Sequence, residues 1–449
     1  MKRDSEFLKN VCNLAIPVAL QSMLQSSFSL VDQIMIGQLG STSIAGVGFA
    51  GKFSSIFTVV VSAIGAVASI MISQYMGQKN GKEVRRSFYL NLFMGLGLAM
   101  LFTVMCLAFP EPIMGMYTKD SATRLAAANY LAIISGTFLP VAGATMLSTL
   151  FRCMEKASLP LYASIVAAVV NTGLNYVLIF GKFGFPAMGD KGVAVATVIA
   201  QLINFLIMFV LYFQCKKPFT GEDKNISQVV GFRWGQYAGI LLPLLVCEFM
   251  WSLGENVYAV IYGHMGTDAS AAMTLINPIQ GLMIGALCGL SQAASVIIGK
   301  KLGVGEYEEA YLASKKLLYY GFIGSAFLSV VILVISPFYV HIFQVEEHVK
   351  NITKQILLAY ALVAPFKVEN MILGGGILRC GGKTNYVMAI DLIGTWMFGV
   401  PLGLLTAFVL KLSIPYVYFI LSLEECVRFA ISFVIMRRKN WMVTLTSDF

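Results

Sequence analysis

The sequence predicts an all-α polytopic membrane protein whose twelve transmembrane helices form two pseudo-symmetric six-helix lobes. This prediction depends on a very apolar composition, on twelve long apolar segments and on an internal duplication. Of the 449 residues, 57% are hydrophobic and only 12% are charged, and the mean hydropathy is +0.76. Soluble domains carry about 25% charged residues. The composition therefore indicates a chain that is largely surrounded by lipid.

Twelve segments of the chain are apolar enough to cross a bilayer. Seven of them contain an uncharged run that reaches or exceeds the roughly 20 residues that a helix needs to span the hydrocarbon core. The other five contain one charge or a small charged cluster. The predicted spans are 11–36, 44–75, 87–109, 125–151, 158–181, 192–214, 236–263, 270–299, 317–342, 352–378, 384–409 and 413–436.

The two halves of the chain repeat each other at a fixed spacing, which we call the repeat offset. Gly77 matches Gly303 at this offset, and one residue out of phase the motif Arg-Cys-x-x-Lys at 152–156 returns at 379–383. A duplicated unit of half the chain in a very apolar sequence is typical of secondary transporters. We therefore expect function to lie where the halves meet.

The duplication predicts an N-terminal six-helix lobe at 1–220 and a C-terminal six-helix lobe at 221–449. Because each half has an even number of spans, both halves enter the membrane from the same side, and the axis relating them runs along the membrane normal. With a cytoplasmic N-terminus, the cytoplasmic segments hold 22 Lys and Arg residues and the opposite side holds 7. This asymmetry predicts that both termini are cytoplasmic. It also accounts for the net charge of +9 without a nucleic-acid partner.

Several classes of function are disfavoured by what the sequence lacks. No loop is long enough for a soluble ATPase domain, and the sequence Gly382-Lys383-Thr384 lacks the first glycine of a phosphate loop, since position 377 is Ile. The eight cysteines form no CxxC pair and predict neither a metal site nor disulfides. No nucleophile, base and orienting group occur together, so we predict that the protein is not an enzyme.

Ionisable and amide side chains inside the spans of the first half are candidate functional groups. A charge at the bilayer centre costs roughly 2.5–3.5 kcal/mol on insertion scales and is usually functional. Asp32 is the only acidic residue well inside a span there, and Asn171 and Asn175 are four residues apart on one helix face. Together they predict a site for a proton or an alkali cation. Alternatively, Asp32 is hydrated near the outer surface and the asparagines only join neighbouring helices.

The second half carries a larger set of charges inside its spans. The candidates for a substrate site or a second ion site are Glu248, Glu255, Lys367, Glu369 and Asp391. Their acidic excess favours a cationic substrate or a coupling ion. The alternative is a structural salt bridge between Lys367 and one of these acids. Glu424, Glu425 and Arg428 have helical spacing, which predicts that they pair locally for a structural purpose.

Five segments resemble motifs of the multidrug and toxic compound extrusion (MATE) antiporters, and together they span essentially the whole chain. They are Leu30-Val31-Asp32-x-x-x-Ile36-Gly37-x-x-Gly40, Leu150-Phe151-Arg152-Cys153-x-x-Lys156, Asn171-x-x-x-Asn175-Tyr176-x-Leu178-Ile179-Phe180-Gly181, Gly192-Val193-Ala194-x-Ala196-Thr197 and Gly376-Ile377-Leu378-Arg379-Cys380-Gly381-Gly382-Lys383-Thr384. No single motif is decisive, but their order, spacing and duplication are specific.

The resemblance implies a multi-pass transporter of the cell membrane that exports small organic cations or amphiphilic drugs by alternating access. It implies H⁺ or Na⁺ as the coupling ion, no other cofactor, contact with membrane lipid and, as we expect, a monomer. The family's N-lobe cation site falls on Asp32, Asn171, Asn175 and Thr197 of this sequence. This chain departs from the family pattern at Asn175, where other members often have Asp. Asp32 is therefore left as the sole titratable group there, which disfavours a high-affinity Na⁺ site and favours protonation of Asp32 alone.

Two other classes of function stay open at this stage. A flippase of lipid-linked saccharides or other lipids would share the repeat, but it should have a basic cavity for pyrophosphate, whereas these spans offer one lysine against several acids. A channel or a membrane scaffold would show no ion exchange, and the charges that differ between the two halves argue against it.

Overall fold

A computed structural model describes residues 2–39, 41–215, 234–341 and 346–445, and all of the regular secondary structure in these ranges is helical. The helices of the first half are α1 (Lys2–Gly37), α2 (Ser41–Gly77), α3 (Gly81–Ala108), α4 (Pro110–Gly115), α5 (Ser121–Ile134), α6 (Phe138–Cys153), α7 (Ser158–Phe180) and α8 (Asp190–Gln214). A 3₁₀ turn, Ser135–Thr137, joins α5 to α6, so the predicted fourth span is one element with a tightened turn inside it.

The second half contains eight further α-helices among the described residues. They are α9 (Trp234–His264), α10 (Thr267–Val304), α11 (Tyr307–His341), α12 (Glu347–Ile372), α13 (Thr384–Leu392), α14 (Val400–Leu404), α15 (Ile414–Ser422) and α16 (Glu424–Arg438). Three π-helical segments, Leu373–Leu378, Ile393–Gly399 and Leu405–Val409, follow α12, α13 and α14. Such segments occur frequently at functional sites.

Eleven helical segments of the described residues are long and apolar enough to cross a membrane, compared with twelve predicted spans. The difference lies in the last span, predicted at 413–436. There the helix is interrupted at Leu423, which leaves two helices of 9 and 15 residues. Hydropathy alone does not detect this break, because it reports apolar content and not the hydrogen-bond pattern of the helix.

The chain divides into two compact units, and each contains one six-span half with small exchanges. One unit comprises Leu20–Ile72 and Lys79–Phe232, and the other comprises Met1–Ala19, Ser73–Gln78 and Arg233–Phe449. The predicted lobe boundary between residues 220 and 221 lies outside the described residues and stays a prediction.

The end of α2 crosses the end of α10 at repeat-related glycines inside the second unit. A Cβ atom on Gly77 would collide with the carbonyl oxygen of Lys300, and one on Gly303 would collide with that of Gln74. The positions of Gln74 and Lys300 are related by the same repeat offset as the two glycines. Each half therefore contributes the same small residue and the same carbonyl to a close backbone approach, which only glycine permits.

The C-terminal segment Trp441–Leu445 lies against this crossing. The side chain of Gln74 donates to the Cys380 carbonyl at 2.6 Å and to the Val443 carbonyl at 3.2 Å, and it accepts from the Leu445 N–H at 2.6 Å. The Trp441 side chain is fully buried. Through these bonds one glutamine side chain ties the end of α2 to two segments of the second half.

Candidate functional site

The predicted ion site of the first half is assembled from three helices. Asp32 comes from α1, Asn171 and Asn175 come from one face of α7, and Thr197 comes from α8. The Asn175 amide donates to Asp32 Oδ1 at 2.7 Å, and the Asn171 amide lies 3.3 Å from Thr197 Oγ1. The structure thus brings all four predicted residues together, and we call them the Asp32 cluster.

The Asn171 amide lies between the carboxylate and the threonine. One of its terminal atoms is 3.0 Å from Asp32 Oδ1 and 3.3 Å from Oδ2, and the other is the atom near Thr197. With its nitrogen facing Asp32, Asn171 donates to an ionised carboxylate. With its oxygen facing Asp32, it accepts from the Asn175 amide at 3.2 Å, but two acceptors then meet and require a proton or a cation between them.

The Asp32 cluster is poor in donors for its acceptors. Asn175 is fully buried, and its carbonyl oxygen has no hydrogen-bond partner among the described residues. A buried acceptor without a donor costs about 1–3 kcal/mol, so the cluster has an acceptor that a bound donor or cation would satisfy. Tyr130 of α5, which is also buried, lies close enough to interact electrostatically with Asp32. Nothing in the sequence marks Tyr130, because one tyrosine in an apolar span is ordinary.

A network of alternating charges occupies the second half. Glu248 of α9 pairs with Arg379 at 3.0 Å, and Asp391 of α13 pairs with Arg428 of α16 at 3.5 Å. The Cys247 thiol links the two pairs, since it donates to Asp391 Oδ2 at 2.7 Å and lies 3.7 Å from Arg379 Nη2. Arg428 also donates to a threonine hydroxyl in the π-helical segment that follows α13.

This network corrects two expectations. Arg428 makes its ion pair with Asp391 of another helix, so the predicted local pairing with Glu424 and Glu425 is wrong, although both acids lie within electrostatic range. The count of cytoplasmic charges places Arg379 in a loop, but it lies in helix directly after Leu373–Leu378 and is bound to a glutamate of α9. Neither partner choice follows from sequence spacing, because both pairs join helices that are far apart in the chain.

Two cavities of about 350 Å³ each lie in the second unit, and Lys367 and Glu425 line both of them. One of them, which we call the tyrosine cavity, is lined by Glu255, Glu424 and four tyrosines, Tyr258, Tyr262, Tyr360 and Tyr418. The other, which we call the arginine cavity, is lined by the Glu248, Arg379, Asp391 and Arg428 network.

The five candidate residues of the second half are not brought to one place. Glu248 and Asp391 line the arginine cavity, Glu255 lines the tyrosine cavity, and Lys367 faces both. Glu369 lines neither cavity. It is buried against a glycine of α11, and its Oε1 has no hydrogen-bond partner among the described residues. The spacing of two residues already predicts that Lys367 and Glu369 lie on different faces of α12.

The other two acids of the tyrosine cavity have protein partners. The Tyr258 hydroxyl donates to Glu424 Oε2 at 2.5 Å, and the Asn370 amide donates to Glu425 Oε2 at 2.8 Å. The helical spacing of Glu424 and Glu425 predicts a structural role for them and does not place them at a cavity. Their position one helix turn from Arg428 gave no signal for it, since the cavity is formed by several helices.

Comparison with known proteins agrees with this architecture. The family model MatE matches residues 17–177 and 243–405, and the two matches begin at prolines that the repeat offset relates to each other. A curated relative, the uncharacterized transporter YisQ of Bacillus subtilis, is 21% identical over 449 residues, with 98% of this chain and 97% of YisQ covered. The probable multidrug resistance protein NorM of Agrobacterium fabrum is 26% identical, with 88% and 86% covered.

A crystal structure of a variant of the Vibrio cholerae MATE transporter VcmN has the same fold. It superposes with a TM-score of 0.88 at 18% identity and covers 98% of this chain and 100% of its own. MATE structures have twelve helices in two lobes, so the predicted all-α polytopic fold class is confirmed.

Because the family model covers most of the chain, this protein belongs to the MATE family. The members of that family are transporters, so the chain is a multi-pass membrane transporter and not an enzyme, as the sequence predicts.

Proposed function

We propose that this transporter exports organic cations and amphiphilic drugs in exchange for H⁺ or Na⁺, and that the Asp32 cluster binds the coupling ion. The relatives support export, since the NorM protein of Agrobacterium fabrum is described as a probable multidrug resistance protein. The geometry of the Asp32 cluster supports the coupling.

The observation that carries the proposal is the position of the Asn171 amide against Asp32. An ionised Asp32 is satisfied by amide nitrogens of Asn175 and Asn171, at 2.7 and 3.0 Å. When a proton or Na⁺ arrives, the carboxylate turns from a pure acceptor into a donor or a metal ligand. The Asn171 oxygen then becomes the better neighbour, and rotation of the amide would bring its nitrogen to Thr197 Oγ1, which accepts from it while donating to the Val193 carbonyl at 2.9 Å.

Ion binding in the Asp32 cluster would change how α1 packs against α7 and α8, since each helix contributes a member of the cluster. A ligand shifts a conformational equilibrium only by binding one state better than the other. We propose that the ion-bound cluster favours the state with low drug affinity that releases drug outside, and that ion loss on the other side restores high affinity. In this alternating-access scheme, the coupling ion and the drug stabilise opposite conformational states of the transporter.

The residues of the cluster favour H⁺ over Na⁺ as the partner. Sodium prefers several oxygen ligands with net negative charge, and this cluster has one carboxylate, since position 175 is Asn. Protonation of Asp32 needs no second carboxylate. No other cofactor is part of the proposal.

The second-half cavities support a cationic substrate over the pyrophosphate of a lipid-linked saccharide. Their walls carry five acids against three bases. We further propose that the transporter acts as a monomer in the cell membrane, surrounded by lipid and without nucleic acid, with both termini in the cytoplasm as the distribution of Lys and Arg predicts.

The proposal is tested in proteoliposomes loaded with a fluorescent organic cation. A pH gradient and a Na⁺ gradient are imposed separately, and dye movement is followed for the wild type and for Asp32→Asn. Transport driven by one gradient and lost in the variant would establish antiport and identify the ion. The matched control is Asp268→Asn, which makes the same chemical change at an exposed acid in the first turn of α10.

The test has two contrary outcomes. If the wild type responds to neither gradient and does not bind the dye, the drug-export proposal fails, and a lipid flippase becomes the better assignment. If Asp32→Asn transports like the control variant, export stands but the Asp32 cluster is not the coupling site.

A further inference from the structure

The tyrosine cavity holds two charged side chains that the protein does not neutralise directly. Among the described residues, none forms a hydrogen bond or an ion pair with the Lys367 ammonium or with the Glu255 carboxylate, although both line the cavity. Lys367 lies within electrostatic range of Glu425, Glu255 and Glu424. Lys367 is thus close enough to these acids to interact electrostatically, but it forms no ion pair with any of them.

The other charged groups of the two cavities are in a different situation. Their polar partners are Arg379 for Glu248, Arg428 for Asp391, Tyr258 for Glu424 and Asn370 for Glu425. Lys367 and Glu255 differ from the other charged residues that line the cavities, because they lack such a partner among the described residues.

Lys367 is half-buried and Glu255 is exposed toward the cavity, so the lysine ammonium has the larger cost of a charge without a direct partner. The lysine offers three donors and the glutamate offers two acceptor oxygens. A ligand that satisfies both must present an anionic group to Lys367 and a cationic group to Glu255. A simple cation satisfies Glu255 but adds like-charge repulsion to Lys367.

Aromatic side chains form much of the rest of the cavity wall. Four tyrosine rings line it, and aromatic faces attract delocalised cations. Its volume of about 350 Å³ lies in the range of pockets for drug-sized ligands. The Tyr418 hydroxyl is held by the Gln280 amide at 2.8 Å, and the Tyr258 hydroxyl is held by Glu424, so two of the four rings are fixed by bonds at their tips.

We infer that the tyrosine cavity binds an amphoteric substrate, whose cationic group pairs with Glu255 and whose carboxylate pairs with Lys367. This inference rests on the proposed export function and refines it, since it narrows the substrate class from organic cations to compounds that carry both charges. It assigns Lys367 a direct role in recognition. The competing explanation is that Lys367 only neutralises Glu255 from a distance until a cation displaces it.

The test uses two dyes that differ by one charge. Rhodamine 110 carries a cationic xanthene and a free carboxylate, and rhodamine 123 is its methyl ester, which keeps only the cation. Their binding to the full-length protein in lipid nanodiscs is measured by fluorescence anisotropy for the wild type, Lys367→Met, Lys367→Arg and Glu255→Gln. Lys354→Met is the matched control, because Lys354 is on the same helix but lines neither cavity.

We expect Lys367→Met to weaken binding of rhodamine 110 by about tenfold or more, the loss of one charge-assisted contact. Binding of rhodamine 123 should be unchanged or tighter in this variant, because a like charge is removed. Lys367→Arg should keep the preference for rhodamine 110, and Glu255→Gln should weaken both dyes. Equal effects of Lys367→Met on the two dyes, or none on rhodamine 110, would overturn the inference and leave Lys367 as a neutralising group.

This binding test fails independently of the proposed function. Discrimination between the two dyes without transport in an ion gradient would support the amphoteric site and contradict antiport. Gradient-driven transport of rhodamine 123 without discrimination between the two dyes would support antiport and contradict the amphoteric site.

Discussion

The two halves of this transporter share a repeat but place very different chemistry inside it. The Asp32 cluster has a single charge among amides and a hydroxyl, and it contains an acceptor without a donor. The second half has eight charged residues around its two cavities, and six of them have polar protein partners. At the repeat offset Asp32 corresponds to Tyr258, and Glu248 and Glu255 correspond to serines. The comparison teaches that duplication preserved the helices and their crossing, while the charges diverged.

The difference also separates two uses of a buried charge. In the first half, the lone carboxylate changes its preferred neighbours when its ionisation changes, which suits a switch. In the second half, most of the charged side chains around the cavities have polar protein partners, which suits a rigid cavity wall. Substituting a charge should therefore impair coupling in the first half and stability in the second, with Lys367 and Glu255 as the exceptions.

The largest expected effect is the loss of coupling in Asp32→Asn. Gradient-driven transport should fall to the leak of protein-free liposomes, because an amide cannot take up a proton or replace a carboxylate ligand. The thermal unfolding midpoint in detergent should stay within a few degrees of the wild type, since the new side chain has the same shape. A large loss of thermal stability in this variant would contradict the view that Asp32 serves coupling while the partnered charges of the second half serve stability.

Next in size is the effect of breaking the Glu248–Arg379 pair. We expect Arg379→Gln to destabilise the folded state by about 1–3 kcal/mol, less than for a fully buried pair, because the two side chains retain 27% and 18% exposure. The double variant with Glu248→Gln should recover part of the loss, because it leaves no orphan charge. Unfolding by denaturant in mixed micelles measures this, and additive effects of the two substitutions would show that the pair contributes nothing.

A smaller effect is expected when a second carboxylate is added to the first half. Asn175→Asp places it beside Asp32, where the present donor contact is 2.7 Å. Repulsion between the two acids should favour bound Na⁺, and we expect the Kd of the cluster for Na⁺ to fall by about tenfold relative to the wild type. Titration of Na⁺ at fixed pH checks this. An unchanged Na⁺ dependence would mean that the charge at position 175 does not select the ion.

The smallest effect is expected at Glu369. Its carboxyl is buried against Gly321 and lines neither cavity, so Glu369→Gln should change dye binding by less than about twofold. Equilibrium binding of rhodamine 123 to nanodiscs measures this, with Glu255→Gln in parallel as the cavity variant. A loss as large as that of Glu255→Gln would place Glu369 in the substrate site after all.

Much of the fold could be predicted because it follows from local properties of the chain. Apolar length determines where the spans lie, and the spacing of Asn171 and Asn175 puts both on one face of α7 whatever surrounds them. The interruption at Leu423 and the π-helical segments could not be predicted in this way. They are changes in the hydrogen-bond pattern of the helix, and hydropathy reports apolar content but not hydrogen bonding.

The candidate site was predictable to a similar extent. The Asp32 cluster followed from a rare acid, from helical spacing and, for Thr197, from the family resemblance. The partners of Arg379 and Arg428 did not follow, since each lies on a different helix and is selected by tertiary packing. The separation of Glu369 from Lys367 follows partly from their spacing, but the spacing does not indicate which of the two faces a cavity.

The bonds of the Gln74 side chain to the C-terminal segment have a consequence for synthesis of the protein. Gln74 and Leu445 are 371 positions apart in the chain. While the ribosome is still translating the residues between them, the C-terminal end of α2 has none of these partners, and its glutamine has no group of the second half to bond. The first half can therefore insert in the membrane early, but this end of α2 reaches its final bonding only after the second half has been made.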